Sequence, residues 1–363
     1  MSRNHFARRA LLSALSACFC LSSLSVAADH GMSKGSPDIQ HAGPLAFGPD
    51  GVLFVGDTRG AAIFAIDTGD SGQAASKSPV NVAGVNGKIA AMVGSTPQET
   101  LINDIAVNPA SGNVYLSVSR GLGPDSQPGL FKADAKGNVS EVALKDINFS
   151  KVAFDDAPAS KEGGRNPRLS TITDLQFEEG KLIVAGLSNE EFASKLRVLN
   201  FPFNGDKTST SIEVYHGAHG KLETASPVRT FITYENTVLA AYTCTPLVTI
   251  PVDDLKGQKV TGKTIAELGN RNNPLDMVIY KKGDQDYLLM ANSARGVMKL
   301  KLDKGDFDAA KSINSKIDGT AGVPYETLPY ENVMQLDKLD ETHAIMLVVQ
   351  ASGSADLKSI ALP

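Results

Sequence analysis

Two histidines three residues apart, in Tyr215-His216-Gly217-Ala218-His219-Gly220-Lys221-Leu222-Glu223, form the densest chemical signal in this sequence. Glycines beside them let the backbone turn sharply and present both imidazoles. With Glu223 close behind, His216 and His219 have ligand spacing suited to Zn²⁺ or Cu²⁺; the alternative is a hydrogen-bonded loop pair. A thiol joins them in the stretch Tyr242-Thr243-Cys244-Thr245-Pro246. Cys244 is a third ligand or a nucleophile, or else a small buried apolar side chain, which is what free cysteine commonly is.

Carboxylates supply a second pattern. Aligning the six apolar strand starts gives one equivalent position, occupied by Pro44, Asp104, Asp174, Val228, Asp276 and Val333. Three aspartates converging on one axis repel and raise one another's pKa unless a cation or Arg229 compensates. Bound Ca²⁺ or a water network is the functional reading, with Asp174 a metal ligand and Asp104 and Asp276 candidate bases. The structural alternative is that each aspartate binds neighbouring backbone amides. Asn103, Arg229, Arg271, Asn292 and Arg295, together with Arg59 and Arg120, could orient a small anionic ligand, since arginine grips carboxylate or phosphate in a bidentate fork.

These side chains need a scaffold that gathers loops. The stretch Leu45-Ala46-Phe47-Gly48-Pro49-Asp50-Gly51-Val52-Leu53-Phe54-Val55-Gly56-Asp57, followed by Ala62 to Asp67, reads as three short buried strands around a Pro-Asp-Gly turn. Comparable copies begin near Leu45, Ile105, Leu175, Arg229, Met277 and Met334. Their spacing of roughly 50 to 70 residues is that of a four-stranded propeller blade with its loops. The expectation is an all-β, six-bladed β-propeller of four-stranded antiparallel blades. Residues 80–83 would supply the fourth strand of the first copy. The short last copy would be closed by an N-terminal strand at 38–40, removing an exposed edge. Two separate β-sandwiches are the competing architecture. Insertions at 85–101 and 145–169 fall at the end where the second and fourth strands finish, so that end should carry function.

Composition bounds the partners. The chain has 363 residues, 42% of them hydrophobic, no Trp, and a formal charge of −5. Arg3, Arg8 and Arg9, an apolar run, and Val26-Ala27-Ala28 read as a signal peptide over 1–28, leaving 29–363 as one propeller domain. This implies a periplasmic or secreted protein; a lipoprotein anchored at Cys18 is the alternative. Losing three arginines takes the charge to −8, which speaks against a nucleic-acid partner. No later run is long and apolar enough for an integral membrane protein. Cys244 is the only cysteine after the leader, so no intrachain disulfide is expected there.

Leu45–Asp67 and Ile102–Val118, and above all Asn103-Asp104-Ile105-Ala106-Val107-Asn108-Pro109, resemble blades of the NHL and SMP-30/gluconolactonase-like propeller superfamily. That resemblance implies a divalent metal held by a Glu in a Glu-Gly-Pro segment plus later Asn and Asp. Asp174 and Asp276 match the later ligands, and Asn103 the substrate-side Asn. Here the segment is His41-Ala42-Gly43-Pro44, with Ala42 in place of the Glu. The resulting expectation is an exported propeller whose top-face polar pocket binds a small-molecule or protein ligand and a divalent metal (Ca, Zn or Cu). The alternatives are a metal-dependent lactonase-like hydrolase, and a copper redox enzyme using Cys244 and Tyr242.

Overall fold

The computed structural model describes residues 30–72, 78–161 and 166–363. The expected leader, with Cys18 and Cys20, lies outside the described residues. The fold is all-β and propeller-like, built from antiparallel meanders. No helix among the described residues is long and apolar enough to cross a membrane.

The template stretch forms Ala42–Phe47, Val52–Asp57 and Ala62–Asp67, paired in that order. Leu53, Phe54, Val55, Ile63, Phe64 and Ile66 have no exposed surface. Such unbroken apolar runs, rather than alternating ones, mark strands covered on both faces. The second meander runs Thr100–Val107, Val114–Arg120, Gln127–Ala133 and Val139–Glu141. The third is Asp174–Glu178, Lys181–Leu187, Ser194–Asn200 and Lys207–His216. The fourth is Val228–Tyr234, Thr237–Tyr242, Pro246–Pro251 and Val260–Glu267. Parallel pairing of Ile212–Val214 with residues 260–262 joins the third and fourth. The fifth comprises Pro274–Lys282, Gln285–Asn292, Gly296–Leu302 and Glu326–Leu328. The last comprises Val333–Lys338, His343–Val349 and Ala355–Ala361.

Closure differs from expectation. Residues 80–83 do not complete the first meander. Asn81–Val82 pairs instead with Leu357 and Lys358, forming the outer strand of the last one. Val80 N–H donates to Ser359 Oγ at 2.7 Å and Gly84 N–H to Asp356 at 2.8 Å, fixing the register. The outer strand of the first meander is Ile147–Ala153, drawn from the second insertion, with Ser33–Gly35 beyond it. Residues 38–40 form no strand; Asp38 instead pairs with Lys151 at 2.8 Å. A two-residue strand whose partner lies far along the chain leaves no local periodicity to read.

Neighbouring meanders share apolar clusters, and the sharing departs from chain order. Phe64 and Ile66 pack with Tyr115 and Leu130, first against second. Val107 and Leu116 pack with Ile345 and Leu347, second against last, and Val85 and Ile89 of the helix Val85–Val93 fill the same cluster. Phe54 and Ile63 pack with Leu175 and Leu182, first against third. The remaining clusters join third to fourth, fourth to fifth and fifth to last.

Candidate metal centre

The histidine loop grows out of a strand. Lys207–His216 is followed by a tight turn, in which Gly220 N–H donates to His216 O at 2.8 Å. Lys221–Glu223 then folds back, pairing Val214 with Glu223 and His216 with Lys221. Gly220 sits at φ +68°, where a side chain is strained. Gly217 is required for a different reason: a Cβ there would lie 2.7 Å from Glu267 Oε1. That oxygen accepts the Gly217 N–H, which pins the loop to the outer strand of the fourth meander.

One carboxylate orients both imidazoles. Glu223 Oε2 lies 2.9 Å from His216 Nδ1, and Oε1 lies 2.7 Å from His219 Nδ1. The rings sit 3.9 Å apart, tilted by 38°. An ionised carboxylate only accepts, so each Nδ1 carries a ring proton, and in a neutral imidazole Nε2 then keeps the lone pair. Burial alone would push the Glu223 carboxyl up. Hydrogen bonds from Ser226, His216 and His219 outweigh it and bring the value down to about 2. Burial also lowers the His216 pKa, so that imidazole is neutral. His216 is 1% exposed, and its Nε2 has no hydrogen-bond partner among the described residues.

Cys244 completes the set. It occupies the turn between Thr237–Tyr242 and Pro246–Pro251 at φ +64°, with Thr245 at φ +61°. For residues with a Cβ this conformation costs roughly 1–2 kcal/mol each. The turn is held by Cys244 N–H to Asn272 O at 2.8 Å, Thr245 N–H to Tyr242 O at 2.8 Å and Thr245 Oγ1–H to Gly269 O at 2.6 Å. Donor atoms of His216, His219 and Cys244 all lie within 4.8 Å of one another. The expected trio is therefore together. Glu223 binds the Nδ1 atoms of both imidazoles and is not one of the three clustered donors. Carboxylates in that position fix the ring orientation and raise ligand basicity.

Sequence reading missed Glu267 and Ser226. Glu267 is 1% exposed, its Oε2 has no hydrogen-bond partner among the described residues, and burial pushes its carboxyl up to about 7. Its position at the end of a strand carries no sequence signal, because its partners are the backbone amides of a distant loop.

The aspartates form a separate group. Asp104, Asp174 and Asp276 line a pocket of about 490 Å³ between the inner strands, walled by Phe47, Phe177 and Phe231 and reaching the turn residues Pro109 and Glu341. His216, His219 and Cys244 do not line it, so the single shared pocket expected from sequence is two places. Each carboxylate staples two inner strands. Asp104 Oδ2 accepts Leu45 N–H at 2.7 Å, Asp174 Oδ2 accepts Phe231 N–H at 2.8 Å, and Asp276 Oδ2 accepts Leu336 N–H at 2.8 Å. The other oxygen of each takes the following residue's N–H. A fourth staple, Asp337 to Val107 N–H at 2.6 Å, was not anticipated. Burial, then mutual repulsion, holds Asp276 well above the carboxylate range. Asp104 is raised too, again first by burial, against the pull of its amide bonds. Burial lifts Asp174 to about 6, with hydrogen bonds and Arg229 opposing.

The strand alignment also needs correction. β-Bulges after Val228 and Val333 place Thr230 and Gln335 at the positions equivalent to Asp104 and Asp276. The same bulge interrupts the Asp104 and Asp276 strands, so the offset lies in the strand starts, which the sequence alignment set two residues early at Val228 and Val333.

Three of the expected clamp arginines donate to backbone carbonyls. Arg59 donates to Gly123 O at 2.7 Å and Ser126 O at 3.1 Å, Arg120 to Val93 O at 3.1 Å, and Arg295 to Asn270 O at 3.4 Å. Arg271 is exposed. Asn103 donates to Ala42 O and Ser119 Oγ, both at 2.8 Å, and Asn292 accepts from Asn272 at 2.9 Å. Asn103, Arg59 and His41 do line a larger cleft of about 910 Å³ with Gln40, Ser119 and Arg168.

No protein-family model matches the sequence, and no curated protein matches it. Among solved structures, the chain is similar to Drosophila Semaphorin 2a, at 7% identity over 92% of this chain and 75% of that one, with a TM-score of 0.39. It is similar to an engineered GH43 glycoside hydrolase, at 14% identity over 73% of this chain and 52% of that one, with a TM-score of 0.38. It is also similar to Hsv2 of Kluyveromyces lactis, at 10% identity over 88% and 85%, with a TM-score of 0.34. These likenesses are distant in sequence and in shape, and no chemistry is carried over from them.

Proposed function

We propose that the chain is an exported six-bladed propeller, one domain over 29–363, that binds a first-row transition metal through His216, His219 and Cys244. In this reading the blades follow one another as first, second, last, fifth, fourth, third and back to first, an order supported by the six shared apolar clusters. The observation that carries the metal is the buried His216 Nε2. It lacks a hydrogen-bond partner among the described residues, while its Nδ1 is locked by Glu223. Leaving a buried polar atom unmatched costs about 1–3 kcal/mol, a loss that a bonded ion removes. Two nitrogens and a sulfur select zinc or copper and disfavour calcium, which takes oxygen ligands. The 910 Å³ cleft beside His41 is the place for a small-molecule ligand.

The lactonase-like alternative is less well supported, because Asp104, Asp174 and Asp276 already accept backbone amides with both oxygens. The test is titration of metal-free residues 29–363 with Zn²⁺ by calorimetry and with Co²⁺ by absorption. One ion should bind per chain, with a thiolate-to-cobalt band that Cys244→Ser removes. Failure of both ions to bind would refute the reading.

A further inference from the structure

We infer that the metal is copper and that the centre exchanges single electrons, an inference that rests on the metal-binding reading above. Three features argue for it. The first is donor number. Only His216, His219 and Cys244 gather among the described residues, and no fourth His, Cys, Asp or Glu joins them. Structural zinc sites are closed by four protein ligands and catalytic ones keep three with an open position, so this set is not a closed structural zinc site; two histidines and one cysteine are the donors of copper electron-transfer sites.

The second is rigidity. Glu223 holds both Nδ1 atoms, Glu267 holds the Gly217 amide between the imidazoles, and three hydrogen bonds hold the turn that carries Cys244. Ligands that cannot relax keep one geometry for both oxidation states, so little rearrangement accompanies the transfer. The left-handed backbone at Cys244 is the local strain that such fixed geometry brings.

The third is access. The His216 side chain is 2% exposed, whereas that of His219 is 44% exposed. One ligand is therefore sealed while the other is accessible to a partner in solution. The neighbouring Tyr242 has no exposed surface and belongs to the apolar core between the third and fourth meanders.

The step balances as one electron from a one-electron donor reducing bound Cu²⁺ to Cu⁺, with no bond made or broken and Cys244 remaining a thiolate ligand. The competing outcome is oxidation of the thiol itself, in which two chains reduce two Cu²⁺ and become joined by a disulfide. The experiment adds one equivalent of Cu²⁺ to metal-free residues 29–363. It then cycles the sample with ascorbate and ferricyanide under optical and electron paramagnetic resonance detection, with Co²⁺ titrated in parallel. The expected result is an intense visible thiolate-to-copper band that ascorbate bleaches and ferricyanide restores over repeated cycles. The chains should stay monomeric on non-reducing gels, and one thiol per chain should be recovered after copper is removed. Cys244→Ser should lose the band entirely, and the half-exposed His219→Gln should bind copper at least tenfold more weakly with an unchanged circular dichroism spectrum. A copper adduct without the thiolate band, or one that decays to disulfide-linked dimers, overturns the copper assignment while stoichiometric Co²⁺ binding preserves the metal site. Absence of binding by both ions overturns both.

Discussion

Glu223→Gln is the sharpest perturbation of the centre, because it keeps the shape of the side chain and changes only what it can accept. The carboxylate receives two imidazole N–H groups at 2.9 and 2.7 Å, one on each oxygen. A carboxamide has one accepting oxygen and one donating nitrogen. One imidazole must therefore turn its Nδ1 lone pair toward the new amide and carry its proton on Nε2, the atom needed for the metal. Binding then requires that ring to switch tautomer and break the new hydrogen bond. Partners of this kind are worth about 10–100-fold in metal affinity, or about 1.4–2.7 kcal/mol. The assay is competition between the protein and a chelator for Zn²⁺, wild type against Glu223→Gln, with circular dichroism confirming an intact fold. Equal affinities in two folded proteins would show that Glu223 does not set the tautomers, and the placement of Nε2 toward a metal would fail with it.

Three further outcomes are expected. Asp276 is held above its ordinary range by burial and by Asp104, Asp174 and Asp337, with Arg229 the cation beside Asp174, so its contribution to stability is complete below about pH 4 and is lost as pH rises through the folded value. Urea unfolding should accordingly show wild type losing stability as pH rises above about 4; Asp276→Asn, though less stable overall, should have a flatter slope, and an unchanged slope would refute the raised Asp276 pKa. Gly217→Ala should destabilise the fold by about 1–3 kcal/mol in urea unfolding and weaken Co²⁺ binding, because the added Cβ meets Glu267 Oε1 at 2.7 Å and Cγ at 2.9 Å. Val82 is 2% exposed in the closing strand, so Val82→Asp buries a charge and should cost about 3 kcal/mol, read as a drop in melting temperature; an unchanged melting temperature would mean that this strand does not close the last meander.

Much of the scaffold was legible because its signals are local. Runs such as Leu53 to Val55 and Ile63 to Ile66 are buried on both faces and look it. The meeting of His216, His219 and Cys244 was legible too, since consecutive meanders bring the end of one outer strand beside the next second-strand turn. What could not be read depends on distant pairing. Asn81–Val82 finds its partner at Leu357 and Lys358, and Ile147–Ala153 returns to the first meander only after the second is complete. Glu267 has the same character, a strand-end acid whose role is set by an amide fifty residues away.

The two groups of polar side chains differ because of where the backbone needs help. The inner strands are sheet edges, so amides such as Leu45, Phe231 and Leu336 turn away from their ladder partner toward a neighbouring inner strand. The aspartates are consumed in satisfying them, and burial raises their pKa values against the pull of those bonds. In the turns that carry His219 and Cys244 the backbone is already satisfied by other backbone: His219 N–H donates to His216 O at 3.1 Å and Cys244 N–H to Asn272 O at 2.8 Å. Side chains there are released from structural duty. An aspartate in an inner strand of this fold is thus first a staple, and a donor atom in a backbone-satisfied turn is the better candidate for chemistry.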